Sequence, residues 1–219
     1  MKGEKRTALV AGASGLVGVA LVDLLLASET FESVHTLVRK RGGNEDARLF
    51  EHVICFDELD KLRLGEVITD AFCCLGTTMR AAGSKDAFAA VDRDYVSRFA
   101  ALARRSGCDR FAVISAVGAS RGSAFFYSRV KGQMEEDLRK IGFRKLAIIR
   151  PSLLLGQRRE FRLGEAVSAP FAVALRPVLS GGLRKYRPVS AADVASSMLD
   201  ALNDPRPGVN VIYPTERQR

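Results

Sequence analysis

Residues Thr7 to Ala27 constrain what this chain can fold into more than any other stretch. Ala8 to Ala11 is a short apolar run whose length suits a buried parallel strand. Gly12, Gly15 and Gly18 follow at three-residue steps, and Val17, Ala20, Leu21, Leu24 and Leu25 then recur at the spacing of one helix face. Strand, tight turn and helix in this order suit the phosphates of a dinucleotide. Gly12 lets the chain turn sharply, and Gly15 lets backbone N–H groups approach a pyrophosphate. Gly18 lets the helix lie close on the strand, and the positive end of the helix faces the negative charge. The spacing is G-x-x-G-x-x-G rather than the commoner G-x-G-x-x-G. Two other readings compete: a glycine-softened turn with no ligand, and a membrane segment, because Met1 to Arg6 is basic and a largely apolar run follows. The interrupting glycines, Asp23 inside the run and the lack of a small-residue cleavage site speak against the membrane.

Further along, Val34 to Val38 reads as a second strand, ending about twenty residues past the glycine turn, where such folds read the adenosine ribose. An acidic residue there favours NAD. This chain has Arg39, Lys40 and Arg41, and a guanidinium suits the 2′-phosphate of NADP; three exposed basic loop residues are the alternative. Val53 to Phe56 reads as a third strand, followed by Asp57 and Glu58, and Ala71 to Leu75 as a fourth, leading into Gly76, Thr77 and Thr78. A helix over Val91 to Arg105 stops at Gly107, and Phe111 to Ile114 is a strand ending at Ser115. Phe126 to Ile141 is a helix stopped by Gly142, and Lys145 to Ile149 a strand closed by Arg150 and Pro151.

Such alternation predicts an α/β fold, a Rossmann-like doubly wound parallel sheet. After Pro151 the pattern loosens. Ser152 to Gly164 reads as loop, Glu165 to Leu175 as a short helix and Arg176 to Pro188 as irregular. Ser190 with Asp193 caps a helix through Leu202, and Val209 to Tyr213 reads as a last strand. One domain over 1–219 is expected, with a core over 6–151 and a substrate-covering part over 152–219.

Composition removes some functions. The chain has 219 residues and a net charge of +9, but its arginines are spread along the length rather than clustered with aromatics, so a nucleic-acid role is poorly supported. Cys55, Cys73, Cys74 and Cys108 lie in or beside apolar runs with no C-x-x-C, and His35 and His52 make no metal pattern. Buried reduced thiols in a cytoplasmic protein without a metal are expected.

Tyr127 and Lys131 are four apart on one predicted helix and so share a face, with Ser115 at the end of the preceding strand. Tyr95, Tyr186 and Tyr213 lack a lysine at that spacing. Moving a hydride between nicotinamide and a carbonyl carbon requires a proton to move at the oxygen. A phenol with an ordinary pKa of about 10 does this when an ammonium nearby favours its phenolate. Lys131 supplies that charge and holds the nicotinamide ribose; the Ser115 hydroxyl hydrogen-bonds the substrate oxygen. The alternative is a half-buried helix tyrosine beside a solvated lysine.

These features resemble the short-chain dehydrogenases/reductases, and within them the atypical branch of the HIV Tat-interacting oxidoreductases. Cys73-Cys74-Leu75-Gly76-Thr77-Thr78, Val91-Asp92-Arg93-Asp94-Tyr95-Val96, and Arg150-Pro151 leading to Gly164-Glu165 carry that resemblance. It implies NADPH or NADP binding, with Gly12, Ser14, Gly15, Leu16 and Val17 around the phosphates and Arg39 at the 2′-phosphate. It also implies Asp57 near adenine, Leu75, Gly76 and Thr77 along the dinucleotide, and Pro151 beside nicotinamide. Many relatives carry a catalytic-site asparagine where Asp92 stands here, a departure that bears on the usual proton relay and leaves the tyrosine chemistry in place. The sequence thus predicts an NADP-dependent oxidoreductase acting on an unidentified small carbonyl or alcohol. Its rival is an NADPH-binding regulatory module that reports redox state to a protein partner. Substrate, reaction direction and oligomeric state are not legible.

Overall fold

The computed structural model describes residues 5–155 and 186–214. Seven strands, all parallel, form one sheet: β1 (Arg6–Ala11), β2 (Phe31–Val38), β3 (Leu49–Val53), β4 (Asp70–Cys73), β5 (Arg110–Ile114), β6 (Lys145–Ile149) and β9 (Gly208–Ile212). Their spatial order is β3-β2-β1-β4-β5-β6-β9. The chain therefore starts in the middle, runs outward to β3, and returns at β4 to build the other half. The loops after β1 and β4 leave in opposite directions, and the crevice between them is where open α/β sheets hold ligands.

Alternate residues of each strand face opposite layers. Ala8 and Val10 pack with Leu21 and Leu25 of helix α1 (Leu16–Ala27) and with Met198 and Leu202 of α6 (Ala191–Asn203). Leu9 and Ala11 pack with Phe99 and Leu102 of α4 (Tyr95–Arg105) and with Met134 and Leu138 of α5 (Phe126–Ile141). Two short helices, α2 (Met79–Ala82) and α3 (Lys85–Ala89), follow β4. At the N-terminal edge of the sheet, away from the crevice, Asp70 is fully buried. Its carboxylate accepts from Arg6 Nε at 2.7 Å, Arg110 Nη2 at 2.8 Å and Thr69 Oγ1 at 2.7 Å, and Arg6 also reaches Asn203. This contact ties β1, β4, β5 and α6 together.

Three expectations need correction. The third strand is Leu49–Val53; Phe56–Glu58 is a single 3₁₀ turn. As an edge strand that pairs with β2 alone and has only half-buried and exposed side chains, β3 lacks the continuous apolar run that marks the central strands. The helix expected over Val91 to Arg105 opens instead with a π turn, Ala90–Asp94, running from α3 into α4. Residues 189–212 belong to the main fold, which therefore extends past the core expected over 6–151. Ser190 and Asp193 form the expected capping box, α6 packs on α1, and β9 pairs with β6. Strand β8 (Val189–Ser190) pairs with β7 (Leu154–Leu155) in a small second sheet. The predicted helix over Glu165 to Leu175 lies outside the described residues, as does most of the flanking loop. All four cysteines are free, but Cys55, beyond the end of β3, is exposed rather than buried.

Candidate active site

The crevice opens at the C-terminal ends of the strands. Gly12 adopts φ +78°, and a Cβ there would lie 2.6 Å from the carbonyl carbon of Cys74. A Cβ on Gly18 would stand 2.1 Å from the Gly12 carbonyl oxygen, so helix, turn and the loop after β4 fit only with glycine at both places. Gly15 is the N-cap of α1; no side chain caps this end and no acidic residue occupies the first turn. The helix therefore brings its uncapped N–H groups to the crevice with no internal anion to satisfy them.

A cleft of about 770 Å³ begins at this helix end, lined by Ser14, Gly15, Leu16 and Val17. Leu75, Gly76 and Thr77 form its wall after β4. Ser115, Tyr127, Lys131 and Pro151 line the same space. Gly12 supports the turn from behind. Arg39 and Asp57 lie outside the cleft, where β2 and β3 end on the same edge of the sheet. Arg39 is exposed. The Asp57 carboxylate accepts the Tyr95 hydroxyl at 2.8 Å, a bond that pushes the Tyr95 phenol above its usual range.

Ser115 stands just beyond the end of β5, and its hydroxyl donates to Glu135 Oε1 at 2.5 Å. Arg150 grips the same carboxylate through Nε at 2.9 Å and Nη2 at 2.6 Å, and its Nη1 donates to the Tyr213 hydroxyl at 3.2 Å. The Ser115 proton is committed to this carboxylate, and the hydroxyl lone pairs remain for the cleft. Tyr127 sits in the first turn of α5 with its ring 5.6 Å from that of buried Phe88. It remains 42% exposed, so the phenol stays accessible from the cleft.

Lys131, one turn on, is buried. Its Nζ lies 2.8 Å from Asp92 Oδ1 and donates to the Ile114 carbonyl at 3.3 Å. The other Asp92 oxygen accepts the Thr77 N–H at 2.8 Å. Burial presses the Lys131 pKa down, but the charges of Asp92 and Tyr127 and the Asp92 hydrogen bond outweigh it and hold the ammonium above the usual lysine value. Cys73 and Cys74 stay thiols, because burial pushes Cys73 up to about 12 and Cys74 well above its ordinary value.

Sequence reasoning missed Glu135 as the partner of Ser115, although the run Tyr127-x-x-x-Lys131-x-x-x-Glu135 places all three on one face of α5. It singled out Asp92 without finding its partner, since only the folded chain brings the π turn over α5.

A parallel sheet of this order, with a glycine turn at its crossover and serine, tyrosine and lysine lining one crevice, defines a Rossmann-like NAD(P)-binding protein. Residues 12–205 match the NAD(P)H-binding family, and the chain belongs to that family as a homologue of HTATIP2. It is 36% identical to protein HTATIP2 of Rattus norvegicus over 212 residues, 94% of this chain and 85% of that protein. It is 34% identical to the mitochondrial protein FMP52 of Candida glabrata, over 74% of this chain and 69% of the relative. Among solved structures, human epimerase family protein SDR39U1 with NADPH superposes with a TM-score of 0.64 at 18% identity, covering 95% of this chain and 76% of that one. MoeE5 with UDP-glucuronic acid and NAD superposes with a TM-score of 0.71 at 17% identity and the same coverage of each chain. The structural likenesses bear on the fold alone. No described helix is long and apolar enough to cross a membrane, and no described cluster of side chains fits a metal ion.

Proposed function

We propose that this protein is an NADP-dependent oxidoreductase that interconverts a small carbonyl compound and its alcohol, with Tyr127 moving the proton. The observation that carries this reading is the sharing of one cleft by the uncapped N-terminus of α1 and the side chains of Ser115, Tyr127 and Lys131. The residues present fit a dinucleotide: the glycine turn leaves no room for side chains, and the first turn of α1 carries no carboxylate to repel phosphate. When bound, NADP(H) supplies or takes the hydride.

The chain's own groups do the rest. Backbone N–H groups around Gly15 hold the phosphates, and Arg39, with Lys40 and Arg41, holds the 2′-phosphate. An ammonium has three donors. Lys131 spends two on Asp92 and Ile114, leaving one for the ribose. Leu75, Gly76 and Thr77 flank the dinucleotide, and Pro151 closes the space beside the ring. Tyr127 gives or takes the proton at the substrate oxygen, and the Ser115 lone pairs orient a substrate hydroxyl. Four free cysteines support a reducing compartment, and the cytoplasm is part of the proposal; recovery of the tagged protein in an organellar fraction would overturn that placement.

The test uses Tyr127→Phe. The variant is expected to bind NADPH as the parent does and to lose about 10²- to 10⁴-fold in turnover on a panel of ketones and aldehydes. If neither form turns over any of them and a partner protein binds only the NADPH-loaded form, the redox-reporting module replaces the enzyme. Cofactor choice is read separately. NADPH is expected to bind more tightly than NADH, with Arg39→Ala shrinking the difference, and equal affinities in the parent refute the role of Arg39.

A further inference from the structure

Lys131 does not meet Tyr127 as a free charge. Asp92 Oδ1 lies 2.8 Å from its Nζ, and the two side chains are 1% and 3% exposed. The pair sits directly beneath the loop after β4, where a Cβ on Gly76 would come within 3.5 Å of Asp92 Oδ1. The Thr77 N–H donates to the second Asp92 oxygen at 2.8 Å and fixes the carboxylate in place. Lysine and aspartate thus form a closed, nearly neutral unit.

Other titratable groups around this unit leave its balance intact. Cys73, at the end of β4, stays a thiol. Glu135, one turn beyond Lys131 on α5, is taken by Arg150 and Ser115. Lys85 of α3 and Arg129 of α5 lie over the ring of Phe126, beside Tyr127 in the chain, with Nζ and Cζ 5.6 and 5.8 Å from its centroid. Among the described residues, Asp92 is the carboxylate paired with Lys131.

Resting on the oxidoreductase reading, we infer that Asp92, acting through Lys131 as a positioning residue, keeps Tyr127 in the protonated form that donates to a substrate oxygen. A lone ammonium draws a neighbouring phenol toward phenolate, the form that takes a proton from an alcohol; an ammonium balanced by a carboxylate draws it less. In the reductive direction the carbonyl carbon receives the hydride, the C=O π pair moves to oxygen, and the phenol proton closes that oxygen as an alcohol. The carbonyl is reduced, the dihydronicotinamide is oxidised, and the Tyr127 phenolate regains a proton from solvent.

The test needs no substrate. The full chain without cofactor is titrated by the ultraviolet absorbance of tyrosinate, and the Tyr127 signal is taken as the difference between the parent and Tyr127→Phe. The same difference is measured in an Asp92→Asn background, where the amide keeps the side-chain shape and can accept the Thr77 bond. Asp92→Ser is the reserve variant, and thermal melting checks folding. Removing the carboxylate is expected to bring the Tyr127 signal in at a pH lower by about 1 to 3 units. A signal that appears at the same or a higher pH overturns the role of Asp92 and leaves the oxidoreductase reading standing. A signal that moves down in a protein that turns over no carbonyl or alcohol upholds the coupling of Asp92 to Tyr127 through Lys131 and removes the oxidoreductase reading.

Discussion

At the scale of single residues, environment decides what a charge contributes. Arg150 and Glu135 form a forked pair with side chains 19% and 4% exposed, whereas Arg121 and Glu136, one helix position along, pair at 68% and 38%. Removing Arg150 leaves a carboxylate buried beside the Ser115 hydroxyl with only the partly exposed Arg139, 3.8 Å away, as counter-charge; removing Arg121 leaves one in water. Arg150→Met is therefore expected to lower unfolding free energy by more than about 1 and up to about 3–5 kcal/mol, the remaining Arg139 pair setting how far it falls short of the upper figure. Arg121→Ala should cost less than about 1 kcal/mol. Parallel denaturant melts check this, and equal losses would refute the contrast. Residue spacing also explains what was legible. Tyr127 and Lys131 could be read as a unit because one helix turn joins them. Asp92, Glu135 and Arg150 approach Lys131 and Ser115 from other elements or through a contact no motif names.

At the scale of elements, close approach explains both the fit of the site and the limits of reading it. A Cβ on Gly132, in the middle of α5, would lie 2.2 Å from the Ser120 carbonyl carbon and 2.3 Å from the Arg121 nitrogen. The loop between β5 and α5 thus crosses the helix on that glycine, held also by the Ser120 N–H donating to the Ser128 carbonyl at 3.0 Å. Gly132→Ala is expected to push this backbone away and cost about 1–3 kcal/mol by overpacking, against a gain of under about 1 kcal/mol in helix propensity. A melting temperature equal to or above the parent's would contradict it. The glycine turn, α5 and the capping box of α6 were legible because each carries a local signal: a glycine triplet, a helical stripe, a serine three before an aspartate. The edge strand β3 and the π turn were not. The first is half solvated, and the second inserts one residue's worth of extra winding that a regular helical period does not register.

At the scale of the whole molecule, the last described segment belongs to the sheet. Met198 of α6 is fully buried among residues of α1 and the central strands. Met198→Ala should lower stability by about 2–5 kcal/mol in the same single transition that Leu21→Ala lowers. A separate early transition confined to the segment would contradict its place in the one cooperative fold. The alternation of strands and helices made the class of fold readable from the chain alone. The place of β9 was not, because pairing with β6 depends on partners far away in sequence. The four-way contact at Asp70 carries a mechanical consequence. Both halves of the sheet are bound like a book along one spine, at the end farthest from the crevice. At the other margin β1 and β4 stay joined up to Cys74, whose N–H donates to the Ala11 carbonyl at 2.8 Å, so room for a long flat guest comes from the loops beyond the strand ends and not from the sheet.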